Sequence, residues 1–204
     1  MVTSQSLRWQ VSAQRAFPVT LVLTLLLAGC ALQEGHVNLS YAPIRPPFPV
    51  DRPNLPPVAV TVIDERSTQV VGEKINQFGM KVADIVSDTN VPDLLKTAFG
   101  DDLKQFGFPE GGNGNTVFVR VGYLHNQFTI GIFHWESTAT IGMEVSVKRA
   151  DGSIAYRRYV IGESKEWIFV AGEKNAQRML DAAIQRGVAK VFNDSAFINA
   201  LSKR

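Results

Sequence analysis

Cysteine is almost missing from this chain. Among 204 residues there is one, Cys30, so no intramolecular disulfide can form and a site built from several thiolates is excluded. Histidine is nearly as scarce, with only His36, His125 and His134. Long apolar runs are lacking too. The longest, Ala16 to Ala28, has 13 residues, whereas a helix crossing a bilayer needs about 20. No Gly-x-Ser-x-Gly turn occurs, which removes the usual strained nucleophile of a serine hydrolase. Charge of one sign is also wanting: Lys and Arg number 21 against 19 acids, so nothing electrostatic argues for nucleic-acid binding. What remains, 45% hydrophobic and 20% charged residues, suffices for one globular domain.

The absences are unevenly placed. Residues 1–29 contain Arg8 and Arg15 and no acid, and then the short apolar run, which is the layout of a cleaved signal peptide. Leu27-Ala28-Gly29-Cys30 resembles the lipobox of bacterial lipoproteins, in which small residues let a peptidase reach the backbone and the cysteine sulfur takes a diacylglyceryl group. Cys30 is then the lipidation site and first mature residue, and two or three acyl chains fix it firmly to a membrane. Removal of the leader takes two cations with it, leaving 19 against 19 and a mature side-chain balance of zero. Such lipoproteins commonly carry aspartate after the cysteine when retained at the inner membrane. Here Ala31 follows, so the resemblance implies the outer membrane.

Seven of the ten prolines fall between Pro43 and Pro57. Repeated proline removes amide donors and favours polyproline II, so residues 30–57 are expected to form a semi-rigid tether, about 80 Å long if fully extended. The folded domain is expected over 58–204. Val58-Ala-Val-Thr-Val-Ile63 reads as a strand, Gln69 to Ile75 and Lys81 to Val86 as a hairpin about Asn76-Gln77-Phe78-Gly79, and Leu94 to Phe106 as an amphipathic helix closing at Gly107. After Gly111 to Asn115 come three alternating segments, 116–130, 134–149 and 154–169, which read as an antiparallel meander with a turn at Ala150-Asp151-Gly152. An apolar stripe from Ala176 to Phe192 marks a last helix from about Glu173. The expected fold is α+β, an antiparallel sheet with two amphipathic helices on one face, preceded by the tether.

In this order, the lipobox, Tyr41-Ala42-Pro43, a first strand ending in Asp64-x-Arg66, a helix, a hairpin-rich sheet and a final amphipathic helix resemble the YajG-like family of bacterial outer-membrane lipoproteins. The resemblance implies location rather than reaction, because it supplies no catalytic residues to carry over.

The remaining side chains give no catalytic set. His125, His134 and Glu136 could approach one another across a hairpin, but their spacing is no metal signature, so no metal or other cofactor is expected. Ser137 near His134 lacks a third orienting group. Glu163 with Glu166, and Asp64 with Glu65, are read as solvated strand carboxylates, and Asp64 with Arg66 as a strand-end surface ion pair. The Gly111 to Asn115 loop leads from helix to strand, opposite to a phosphate loop. Bulky apolar groups do concentrate near strand ends, and Phe128, Phe133, Trp135, Trp167 and Phe169 form a candidate interaction patch for lipid or another envelope protein. The expectation is a non-enzymatic accessory or binding module of an envelope assembly, fastened through lipid on Cys30 and facing the periplasm, with no nucleic-acid partner. The alternatives are a glycan-active enzyme using those carboxylates, or a carrier of a small apolar ligand.

Overall fold

Three long strands dominate the structure because their sequences alternate over 14 to 16 residues each. The computed structural model describes residues 33–45, 54–130, 135–169 and 171–203. The chain divides into two units, 1–34 and 35–204, and every sheet strand and helix described lies in the second. Its strands are β1 (Gly35–Val37), β2 (Val58–Asp64), β3 (Val70–Ile75), β4 (Lys81–Ser87), β5 (Asn115–Ile130), β6 (Trp135–Lys148) and β7 (Ile154–Ile168). Its helices are α1 (Val91–Gln105), α2 (Glu173–Phe192) and α3 (Ser195–Ser202).

The seven strands form one sheet in the order β1-β4-β3-β5-β6-β7, with β2 also paired to β5. The meander β5-β6-β7 is antiparallel, as the alternation implies. Three other pairings are parallel, β1 with β4, β2 with β5, and β3 with β5, so the sheet is mixed rather than antiparallel throughout. The cause is the length of β5. Its first half takes β2 along one edge from Asn115 to Val121, and the same edge further on takes β3 at Asn126. Both neighbours run in its direction, joined by residues 65–69.

Between those two contacts β5 carries a register shift at Val121/Tyr123. The extra residue reverses side-chain parity. Val117, Val119 and Val121 face the core before it and Leu124 and Phe128 after it, while Tyr123, which strict alternation would bury, is exposed.

The helices cover one face. α1 is capped by Asn90, whose side chain accepts from the Asp93 amide at 3.1 Å, and ends where Gly107 takes φ 83°. α2 packs on β6 and β7, α1 on β2, and Phe99 of α1 meets Phe192 of α2 with ring centroids 5.7 Å apart. α3 is a third helix where two were expected. Asp194 caps it by accepting from the Ala196 amide at 2.9 Å, and its Phe197 meets Phe192 at 5.5 Å. Two glycines let α2 settle onto β7. A Cβ on Gly162 would lie 2.2 Å from the Ala183 carbonyl oxygen and 2.5 Å from the Gly187 nitrogen. From that helix Lys190 donates to the Ile161 carbonyl at 2.7 Å and Arg186 to the Glu163 carbonyl at 2.9 Å, so two acceptors on the β7 edge are occupied.

The N-terminal boundary differs from the sequence expectation. Residues 35–45, assigned there to the tether, are part of the fold. Gly35, Val37 and Leu39 alternate inward, and β1 pairs with β4. Beyond β1 the chain crosses the helices as a strap. Residues 46–53, with four of the seven clustered prolines, lie outside the described residues, as do the leader, Leu27, Ala28, Gly29 and Cys30.

Candidate functional site

The strap is held by two carboxylates, one on each long helix. Asp102 of α1 is fully buried, and its two oxygens accept from the Tyr41 hydroxyl at 2.5 Å and from the Ile44 amide at 2.7 Å. Burial pushes the Asp102 carboxyl above the usual carboxylate range, and burial together with the adjacent Asp102 raises the Tyr41 hydroxyl as well. Asp181 of α2 accepts from both the amide and the hydroxyl of Ser40 at 2.9 Å, and burial again raises its pKa. The Leu39 amide donates to Thr89 Oγ1 at 2.8 Å. The first folded residues are therefore bonded to both α1 and α2.

Strand directions bring several apolar tips together. β3, β5 and β7 run parallel to one another in space and end at the same side of the sheet. The hairpin turn after β3 presents Phe78, 74% exposed, and Met80, 59% exposed. Asn76 Oδ1 accepts from the amides of both residues, at 2.9 and 3.1 Å, and Gly79 takes φ 81°, which fixes the turn with these side chains outward. At the end of β7 Trp167 is 67% exposed and Phe169 90%.

The structure thus divides the expected patch. Trp167 and Phe169 are surface residues, Trp135 is half-buried, and Phe128 is core at 8% exposure, turned inward by the register shift in β5. Phe133 lies outside the described residues. Phe78 and Met80 join the exposed set, and the signal for them was two large apolar residues in a glycine turn. Several charges at this end are matched: Lys74 with Glu173 at 2.5 Å, Lys81 with Glu73 at 3.0 Å and Asp84 at 2.6 Å, Lys165 with Glu136 at 2.8 Å, and Arg178 with Glu166.

The other candidates have structural surroundings. His125 is half-buried, which pushes its imidazole below the ordinary value, and His134 lies outside the described residues. Among the described residues no three side chains form a metal-ligating group. Ser137 is buried and accepts from Asn126 Nδ2 at 2.8 Å. Glu166 faces α2 through Arg178 and Glu163 points to the other side of β7, so the two do not converge. The glycine loop is a connector packed on Pro57, since a Cβ on Gly114 would lie 2.0 Å from the Pro57 carbonyl oxygen.

Asp64 and Arg66 are not the surface pair the sequence suggests. The Arg66 side chain is only 7% exposed and grips Asp64 with Nε at 2.8 Å and Nη2 at 2.7 Å, which holds the Asp64 carboxyl below the usual range. An open groove of about 390 Å³ lies beside the Phe78 turn, against Gln127 and Thr129, while the more enclosed cleft, about 250 Å³ between α1 and β2, is lined by Val58, Val60, Leu103 and Phe108 with Lys96 and Lys104. That cleft is below the range of roughly 300–1,000 Å³ typical of small-molecule pockets.

Comparison with solved structures gives distant likenesses. One crystal structure of an uncharacterized protein is 13% identical and matches over 76% of this chain and 96% of its own, with a TM-score of 0.46. The crystal structure of a putative neuraminyllactose-binding hemagglutinin homolog from Helicobacter pylori is 7% identical over 80% of this chain and 97% of its own, with a TM-score of 0.32. No curated protein matches the chain significantly. No helix among the described residues is long and apolar enough to cross a membrane. The model of a family described as uncharacterized lipoprotein, the YajG-like group, does match, over residues 55–202, a span covering both long helices and all of the sheet except β1. The chain belongs to that lipoprotein family.

Proposed function

We propose that the protein is an outer-membrane-anchored periplasmic lipoprotein, acylated on Cys30, that serves as a non-enzymatic accessory or binding module of an envelope assembly. Membership of a lipoprotein family and the Leu27-Ala28-Gly29-Cys30 segment support the anchor. The observation that carries the reading is the docked strap. With β1 starting at Gly35, four residues separate Cys30 from the sheet, a reach of about 18 Å at most over five residue steps. An 80 Å tether would let a catalytic domain search the cell wall; a leash this short keeps the body beside its bilayer, where its contribution is position. Its working surface would then be exposed side chains such as Phe78, Trp167 and Phe169 rather than a deep cleft.

Crosslinking in intact cells followed by purification tests the accessory role. An envelope protein enriched over an unrelated lipoprotein control supports it, and no enrichment removes its main prediction. Density fractionation of membranes tests the address: recovery with the inner membrane overturns the outer-membrane assignment.

A further inference from the structure

The exposed apolar tips and the exit of the anchor segment share one end of the sheet. β1 runs parallel to β4, which is antiparallel to β3, so the N-terminal side of Gly35 points the same way as the ends of β3, β5 and β7. The register gives its depth. Gly35 is level with Ile85, Gly72, Asn126, Ala139 and Ser164 across the sheet, and Asn126 is four residues short of the end of β5. Four residues of strand span about 13 Å. Five residue steps of chain from Gly35 back to Cys30 can cover at most about 18 Å, which caps the distance of Cys30 beyond the strand ends at about 5 Å. A polar headgroup layer is itself about 5–7 Å deep on each side of a bilayer.

We propose that the end of the sheet bearing Phe78, Met80, Trp167 and Phe169 is a membrane-docking surface that lies in the headgroup layer of the bilayer to which Cys30 is fastened. The inference rests on acylation of Cys30 and adds an orientation to it. A thiol whose acyl chains are buried cannot sit more than a few ångströms from the water boundary, and the leash is too short to hold these tips clear of it. Their chemistry suits that layer. Aromatic rings with one polar edge gather where hydrocarbon gives way to headgroups, and Trp167 contributes an indole there. Lys74, Lys81, Lys165 and Arg178 are each paired with an acid nearby. Lys174 at the start of α2 is exposed at the same end, so contact is chiefly apolar and depends only weakly on anionic lipid or low salt. Asn76 holds the Phe78 turn in its outward form before any membrane is met.

The test uses the full acylated protein purified from membranes and reconstituted in phosphatidylcholine vesicles containing a share of brominated phosphatidylcholine. With the leader gone, Trp135→Phe leaves Trp167 as sole indole. A second protein, Trp135→Phe with Trp167→Phe and Ser153→Trp, reports from the opposite end of the sheet. Trp167 emission is expected to shift to shorter wavelength and be quenched by bromine, changed little by added salt, while the reporter at 153 is not quenched. If the protein carries its acyl mass and floats with the vesicles yet Trp167 is no more quenched than position 153, the docking surface is refuted and the anchor stands. If acyl mass and flotation are both lacking, the anchor reading itself fails and takes this orientation with it. A photo-reactive phenylalanine at position 169 gives a second measurement in cells: a lipid adduct supports the proposal, and a protein adduct in its place overturns it.

Discussion

Removing one hydroxyl from the strap should weaken the fold by an amount that depends on pH. Tyr41→Phe leaves the ring in place and takes away the only donor to Asp102 Oδ2 among the described residues, while Oδ1 keeps the Ile44 amide. Asp102 is fully buried, so water cannot replace the lost donor, and an unsatisfied buried acceptor costs about 1–3 kcal/mol, near the top of that range when charged. Burial already raises the Asp102 pKa, and loss of the donor raises it further. A carboxyl with a higher pKa folded than unfolded binds its proton more tightly in the folded state. Its ionised form therefore penalises folding in full above the folded pKa, and the penalty fades as pH falls toward the unfolded value near ~3.9. The cost of Tyr41→Phe should thus be largest at neutral pH and shrink in acid. Urea unfolding of both proteins across a pH series measures it. A difference that is flat across the series, or grows in acid, would show that Asp102 is not the ionised acceptor assumed. Asp102→Asn should not rescue the strap, because both oxygens accept and the new amide would set a donor against a donor.

Three further outcomes follow from packing and processing. Gly162→Ala should lower stability by about 1–3 kcal/mol through overpacking, since the new methyl meets backbone of α2, whereas Gly187→Ala should cost less because its nearest neighbours are the Ile141 and Met143 side chains at 3.0 and 3.2 Å; thermal unfolding of the pair gives the order, and the reverse order refutes the argument. Replacing Lys190 and Arg186 together by alanine should leave stability within about 1 kcal/mol, as exposed contacts do, but free the carbonyls of Ile161 and Glu163, so light scattering should show association that rises with concentration. Cys30→Ser should leave an unacylated precursor with its leader attached, and mass spectrometry finding a normally processed protein would refute the lipobox assignment.

Local periodicity was readable and long-range pairing was not. The meander and the stripes of α1 and α2 follow from side-chain spacing within single segments, so the strands 115–130, 135–148 and 154–168 fell close to their expected limits. β1 spans three residues between a leader and a proline cluster, and its inward Gly35, Val37 and Leu39 gave too short a pattern to stand out. α3 spans eight residues after the break at Asn193-Asp194, beyond the expected stripe, which ends at Phe192, and is too short to show a period of its own. The parallel pairings depend on β2 and β3 sharing an edge of β5, which no local pattern encodes. In the patch, strict alternation failed at a single residue. The shift at Val121/Tyr123 turned Tyr123 out and carried Leu124 and Phe128 in, separating Phe128 from Trp167. Phe78 was recognised as part of a turn, but not as a surface group.

Ser40 meets Asp181 across 141 positions of chain, and this separation governs when the molecule can close. Residues leaving a ribosome or a translocation channel first are here the ones whose partners leave nearly last. Until α2 has been made and has coiled, Ser40 has nothing to grip, and Tyr41 must wait for α1. A polypeptide that must thread through a pore before it folds is served by such wiring, because the newly made front end lacks the far half of its own latch until synthesis is almost done.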